Sequence, residues 1–287
     1  MQQTVLVTGG AGFIGSHLCE QLVKGGHRVI SLDNYFTGSE ENHVTGVDYR
    51  RGHTKDVEQL IPERPEVIYH LGEYARVARS LEEPALVWDL NMEGSFAVLE
   101  FWRKHGCKLV YSASSTKAVG PRTDGVTGRD LSPYTWAKAA MSDLVNNYAR
   151  WYELPFVIVY YYNVYGPRER AMEGYGTFIE TCRQKYLAGE PLPIRSPGTQ
   201  RRSFTHVEDT VNGILLAAER GMGDGYALSS QDDYSLLEVA GLFGGDVTML
   251  PQTLTTREES AIDSEKISAL GWKQTRYLVD YIQEIKR

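Results

Sequence analysis

The sequence is short of several things. Only three cysteines occur in 287 residues, Cys19, Cys107 and Cys182, and they are too far apart for any metal-ligand or redox spacing. They read as reduced, mostly buried thiols of a cytoplasmic protein, and no metal is expected. No apolar run approaches the roughly 20 residues that span a bilayer. The apolar stretch 5–18 is interrupted by Gly9, Gly10, Gly12 and Gly15 and lacks a basic leader, so no targeting signal is read there. Positive charge is in deficit: 30 Lys and Arg stand against 37 Asp and Glu, a net charge of −7. That balance argues against broad binding to nucleic acid or an anionic membrane. Neither an internal repeat nor a low-complexity linker is present. What remains, 42% hydrophobic and 23% charged, is ordinary globular composition with material for one large or two modest domains.

The β-branched run 4–8 leads straight into Gly9-Gly10-Ala11-Gly12-Phe13-Ile14-Gly15, after which Ile14, Leu18 and Leu22 recur at helical spacing. This reads as strand, glycine turn and helix. Glycines at 9, 12 and 15 permit a tight turn, close approach of a pyrophosphate and close packing of helix on strand. A second strand, 28–32, ends in Asp33-Asn34, about 20 residues on, where a carboxylate can accept from an adenosine ribose. Asp33 would repel a 2′-phosphate and no arginine adjoins it in sequence, which favours NAD over NADP.

Further strands are expected at 47–51, 67–71, 108–113 and 156–162, with a helix from about 56 and a long one over 84–105. Alternating strands and helices imply an α/β fold, a Rossmann-type doubly wound parallel sheet. Beyond Gly166 the pattern is mixed, with helices near 177–187, 207–220, 236–243 and 277–286 around a Pro/Gly-rich stretch at 189–198. We therefore expect a dinucleotide-binding domain over 1–165, joined by about 206–220, and a smaller mixed α/β C-terminal substrate lobe over 166–287.

The fifth strand delivers Ser114, Ser115 and Thr116 to the carboxyl edge of the sheet, where ligands bind. About one helical segment later, Ser132-Pro133 opens a helix carrying Tyr134 and Lys138. Four residues apart, the two side chains share a face, so an ammonium can favour the ionised phenol. A free phenol titrates near pH 10, and this neighbour is what a tyrosine base needs near neutrality. Met141, Leu144, Val145, Tyr148 and Tyr152 continue that helix as an apolar stripe, read as core or subunit contact.

With these residues assembled, the chain resembles the extended short-chain dehydrogenase/reductase family, in its nucleotide-sugar epimerase/dehydratase branch. The carriers are Gly9 to Gly15, Asp33-Asn34, His70-Leu71, Asn91, Ser112 to Thr116, Tyr134 with Lys138, Asn163 to Arg168, Arg202 to Val207, and Leu270-Gly271-Trp272. The resemblance implies a tightly held NAD, contacted by Gly9, Gly12, Phe13, Ile14, Gly15, Asp33, Asn34, Leu71, Gly72, Tyr134 and Lys138. It implies Tyr134 as base, Lys138 on the nicotinamide ribose, and Ser114 on the reacting oxygen. A UDP-sugar is the implied substrate, touching Glu73, Ser114, Ser115, Thr116, Asn163 and Arg202. Dehydratases of this branch usually carry Asp-Glu where Ser115-Thr116 stand, and decarboxylases a glutamate in place of Thr116. Their absence favours reversible redox at one carbon, a 4-epimerase of the UDP-glucose 4-epimerase kind.

The chain departs from the pattern at several points. Lys117-Ala118-Val119 replaces Val-Tyr-Gly, His53 replaces a common aspartate, Tyr160 an arginine, and Thr253 an arginine on the substrate diphosphate, which leaves Arg202 as diphosphate candidate. Gly72-Glu73-Tyr74 replaces small residues. Glu73 then reads either as an extra acid/base or hydroxyl-binding group, or as a structural hydrogen bond in its turn. Alternatives stay open: a dehydratase or 4-keto-sugar reductase of the same branch, or a catalytically silent NAD or sugar-nucleotide binder. The resemblance also implies a homodimer through helices near 86–104 and 134–152, with Phe96, Trp102, Trp151 and Tyr152 as contacts, and surface-polysaccharide precursors as a setting.

Overall fold

The computed structural model describes residues 2–115, 128–170, 175–253 and 264–287. Its centre is a seven-stranded sheet in the order β11-β6-β5-β4-β1-β2-β3, parallel throughout. The strands are β1 (Thr4–Thr8), β2 (Arg28–Asp33), β3 (Val47–Arg51), β4 (Val67–His70), β5 (Lys108–Ser114), β6 (Phe156–Tyr161) and β11 (Gly223–Leu228). Val, Ile and Leu fill the middle strands on both faces because helices cover both faces. On one face α2 (Val57–Leu60), α4 (Gly94–His105) and α5 (Pro133–Tyr152) bury Val57, Val98, Leu99, Trp102, Met141 and Val145 against the sheet. On the other, α1 (Phe13–Lys24) and α7 (Val207–Arg220) bury Leu18, Leu22, Val211 and Ile214. The order reverses at β1: the chain runs outward to β2 and β3, then returns to β4 on the opposite side. The crevice between the carboxyl ends of β1 and β4 is the switch point where such sheets bind ligands.

A second core forms beside this sheet. Helices α6 (Phe178–Leu187), α8 (Leu236–Phe243) and α10 (Leu278–Ile285) pack Ile179, Phe243 and Leu278 around the two-stranded pair β8 (Leu192–Arg195) and β13 (Val247–Leu250). Short pairs β7–β10 (Val164–Tyr165 with Thr205–His206) and β9–β12 (Arg201–Ser203 with Asp233–Ser235) join the halves of the chain. The chain then re-enters the first core: Trp272 is buried beside α7 and its indole N–H donates to the Asp209 carbonyl. Among the described residues no helix is long and apolar enough to cross a membrane.

Several sequence expectations need correction. β11 was not anticipated. Gly223 and Gly225 sit at φ +79° and +97°, and the register against β6 shifts between Gly223 and Tyr226, so a strand carries turn residues. The helix expected from about 56 is a single turn, α2, because Pro62 follows Ile61 and Pro lacks the N–H that would continue it. The long helix over 84–105 is α3 (Pro84–Val87), a π-helical segment Trp88–Glu93, and α4. That wide turn carries Asn91 inward, and π-bulges of this kind recur at functional sites. Trp102 is not a surface contact: it is fully buried and donates to the Cys107 carbonyl at 2.8 Å.

Candidate active site

A cavity of about 350 Å³ opens at the switch point, lined from β2, β5, β6, α1, α5 and the loops that follow β1, β2, β3, β4 and β6. Its floor is the glycine turn. Gly9 takes φ +76°, and a Cβ there would lie 2.9 Å from the backbone of Gly72. A Cβ on Gly15 would meet the Gly9 carbonyl at 2.0 Å, so only glycine lets α1 start this close to β1. The first turn of α1 has neither a side-chain cap nor an acidic residue. Its amides are the donors a pyrophosphate requires, and the helix dipole has the matching sign.

Asp33 closes this end. It is 7% exposed and accepts from the backbone N–H groups of Ala11 at 2.9 Å and Tyr35 at 2.7 Å. Burial raises its proton affinity above the ordinary aspartate value, although both hydrogen bonds act in the other direction. An arginine does stand nearby, brought by the sheet: Arg51 of β3 is in register with Asp33. Its guanidinium is committed elsewhere, paired with Glu40 at 2.8 Å and stacked 3.9 Å from the centre of the Tyr35 ring. Thr54 also lines the cavity, and its buried hydroxyl has no hydrogen-bond partner among the described residues. The glycine cradle, uncapped helix, buried carboxylate and unpaired hydroxyl together fit an adenine dinucleotide.

At the other end the cavity brings together Ser114, Ser115, Tyr134, Lys138 and Asn163. The expected helix start holds: Ser132 caps α5, accepting from the Thr135 N–H at 3.3 Å while the Thr135 hydroxyl accepts from the Ser132 N–H, with Pro133 in the first turn. Tyr134 and Lys138 thus share the face turned to the sheet edge. Lys138, however, does not simply point at the phenol. Its side chain is 5% exposed, ion-paired with Glu73, itself 3% exposed, and it also donates to the Ser112 carbonyl. Glu73 accepts in addition from the hydroxyls of Ser95 at 2.9 Å and Tyr111 at 3.0 Å. The turn carrying Glu73 is pinned by Asn91, whose side-chain amide exchanges two hydrogen bonds with the backbone of Tyr74.

Other candidates fall less centrally. Leu71 and Gly72 line the cavity through their backbone, both amides donating to the Thr8 hydroxyl. Asn34 lines it too, its side chain accepting from the Phe36 N–H. Asn163, at φ +36°, donates to the Ser203 carbonyl and so ties the β6 loop to β9. Arg202 lies on β9, outside the residues that line the cavity. Thr116 and Lys117 lie outside the described residues. Sequence reasoning passed over Thr8, Ser95 and Tyr111 as supports of the site. Ser95 and Tyr111 are 22 and 38 positions from Glu73, and no local pattern joins them.

The comparisons with known proteins agree with this geometry. The model of the NAD dependent epimerase/dehydratase family matches residues 5–227. A UDP-N-acetyl-alpha-D-glucosaminuronate decarboxylase of Bacillus cytotoxicus is 32% identical, covering 84% of this chain and 79% of its own. A UDP-glucose 4-epimerase of Mycolicibacterium smegmatis is 29% identical over 93% of this chain and 92% of its own. Among solved structures, a UDP-glucose 4-epimerase of Thermotoga maritima, determined with UDP-glucose, superposes with a TM-score of 0.89 at 28% identity, covering 99% of this chain and 100% of that one. A family match spanning sheet, glycine turn and the tyrosine–lysine helix identifies the chain as a member of the NAD dependent epimerase/dehydratase family.

Proposed function

We propose that the protein inverts C4 of a UDP-sugar through a 4-keto intermediate. The observation that carries this reading is the cavity itself. It holds Ser114, Tyr134 and Lys138 opposite the glycine turn, and at position 115 a serine rather than the acid of a dehydratase. NAD, the family's cofactor, supplies the oxidation and reduction when bound. The chain's own residues handle the proton. Tyr134 takes it from the sugar 4-hydroxyl and later returns it, Ser114 hydrogen-bonds the same oxygen, and the Lys138 ammonium favours the phenolate. Gly9, Gly12, Phe13, Ile14, Gly15, Asp33, Asn34, Leu71 and Gly72 hold the dinucleotide. Ser115 and Asn163, which line the cavity, complete the substrate set together with Thr116, while Arg202, on β9 beyond the cavity lining, is kept as the candidate for the substrate diphosphate.

A dehydratase or decarboxylase remains the second reading, since a decarboxylase is among the relatives and Glu73 is a carboxylate at the cavity. Against it stand the donors that already occupy Glu73. Purified protein incubated without added cofactor on UDP-, GDP-, CDP- and dTDP-sugars decides between them by mass spectrometry and proton NMR. The expected product has unchanged mass and an inverted C4 signal. Loss of water or carbon dioxide would move the assignment to the second reading, and no conversion of any sugar to a silent binder.

We also propose a homodimer through α4 and α5. Phe96, Trp136, Trp151 and Tyr152 on these helices are 41–55% exposed, far more than isolated aromatics need be. Light scattering is expected to return twice the chain mass; a monomer would overturn the proposal.

A further inference from the structure

Glu73 takes a place in the network that its side chain alone does not suggest, and the direction of each hydrogen bond can be worked out. The Thr8 hydroxyl accepts from the Gly72 amide at 3.0 Å and from the Leu71 amide at 3.1 Å, which it shares with the Thr8 carbonyl at 3.2 Å, so both amides lie on its acceptor side. Its own hydrogen therefore goes to His70 Nδ1, 2.7 Å away. His70 is fully buried, and burial pulls its pKa down to about 4, so the ring is neutral and carries its proton on Nε2. That N–H donates to Ser95 Oγ at 2.9 Å, and the Ser95 hydroxyl in turn donates to Glu73. With Tyr111 O–H and the Lys138 ammonium also donating, every contact that the described residues make to the Glu73 carboxyl uses it as an acceptor.

We infer that Glu73 is a positioning residue: it holds the Lys138 ammonium against the Ser112 carbonyl and over the Tyr111 ring, and offsets its charge at the end of the cavity that Tyr134 also lines. This rests on the reading of Tyr134 as base. The role follows from the geometry, since two side chains from the loop after β4 and from α5, only 3% and 5% exposed, meet at the wall of the cavity. The titratable groups that face the pair are His70 from β4, Tyr111 from β5 and, from β6, Tyr161; Tyr134 of α5 and Tyr160 of β6 act on Tyr111, and the Tyr160 hydroxyl donates to Asp224 at 2.7 Å. Burial holds the His70 ring neutral and raises the phenols of Tyr111 and Tyr161 above the ordinary tyrosine value. Among these groups Lys138 and Glu73 form a cation and an anion in direct contact, whose charges partly cancel. Glu73 moderates how easily the phenol ionises, and the hydrogen-bond chain ties that setting back to Thr8 at the foot of the glycine turn.

The test is Glu73→Gln, read by the ultraviolet difference titration of Tyr134, with Tyr134→Phe in each background as blank, and by the pH profile of kcat/KM. An uncompensated ammonium favours the phenolate. The Tyr134 midpoint is therefore expected to fall by about one pH unit or more, with the acid limb of kcat/KM moving in the same sense. An unmoved midpoint overturns the inference, as does turnover lost more than a hundredfold at every pH with the midpoint unchanged, which would make Glu73 a group in the chemistry. The titration needs no substrate, so a shifted midpoint in a protein that converts no sugar would refute the epimerase reading and leave the positioning role standing. Should Glu73→Gln fail to fold, a crystal structure of the wild-type protein with NAD decides. Lys138 is expected within hydrogen-bond distance of both Glu73 and a ribose hydroxyl, and an ammonium swung off Glu73 overturns the inference.

Discussion

At the proposed adenosine end of the cavity Asp33 is held by two backbone amides from its own turn and the glycine turn, with no cation bonded to it among the described residues. At the reaction end Glu73 is held by an ammonium and two hydroxyls from three separate elements. Both carboxylates are buried, yet their surroundings ask different things of them. Neutral donors fix a loop and leave burial to raise the carboxyl's proton affinity, as they do for Asp33. A charged donor makes the carboxylate part of an ion pair, so losing either partner strands a charge. The adenosine end is built for local shape, the reaction end for a balance of charges.

Tyr134→Phe should break the reaction end most completely. Turnover should fall by about 10²–10⁴-fold, the usual size of a general-base contribution, with co-purified NAD and melting temperature unchanged. A variant that keeps its rate would remove Tyr134 from the chemistry. Next in size, Lys138→Met should destabilise the protein by about 3–5 kcal/mol in urea unfolding, because Glu73 is left buried and unpaired. Adding Glu73→Met to the same chain should recover most of that loss, and a strictly additive pair would deny the coupling.

The matching change at the other end should be milder. Asp33→Ala leaves two amides without their acceptor, a cost of about 1–3 kcal/mol, and the protein should purify with little NAD. Because burial raises the Asp33 pKa, NAD retention in the wild type should weaken on acidification before an ordinary aspartate would protonate. Equal unfolding losses for Asp33→Ala and Lys138→Met would erase the contrast drawn between the two ends.

The smallest effect concerns a third carboxylate. Glu169 accepts from the backbone N–H and hydroxyl of Thr177, the cap of α6, and burial pushes its pKa up to about 7. The folded protein therefore binds this proton more tightly than the unfolded chain, whose glutamate titrates near about 4.3. The contribution is present at low pH and is lost as pH rises to about 7. Melting temperature should show that downward component, and Glu169→Gln should flatten it. An unchanged slope would mean the amide and hydroxyl of Thr177 compensate burial as fully as a cation would.

Much of this molecule could be read along the chain. The glycine turn, Asp33 and the capped helix bearing Tyr134 and Lys138 are local patterns, and the tertiary structure realises them where expected. The π-helical turn at Trp88–Glu93 was hidden because apolar spacing hardly changes when one turn widens, yet it carries Asn91 to the Tyr74 backbone. Trp102 illustrates the opposite error. An aromatic on a helix suits an interface and a core equally, and only packing against β5 and α5 made it core. β11 escaped notice because its glycines spell a turn, and pairing with β6 overrides that preference.

What the residues by themselves determined is the class of fold, the cofactor and the tyrosine–lysine pair. Each rests on periodicity or on contacts only a few residues apart, where backbone geometry leaves little choice. What only the tertiary structure decided is the company of Lys138. Glu73 and Ser112 bond it from the loop after β4 and from β5, Ser95 of α4 and Tyr111 of β5 hold Glu73 in turn, and no spacing in the chain encodes a meeting of four separate segments. That meeting puts a buried ion pair at the end of the cavity that Tyr134 lines, and inside the protein a neighbour a few ångströms away outweighs anything adjacent in sequence.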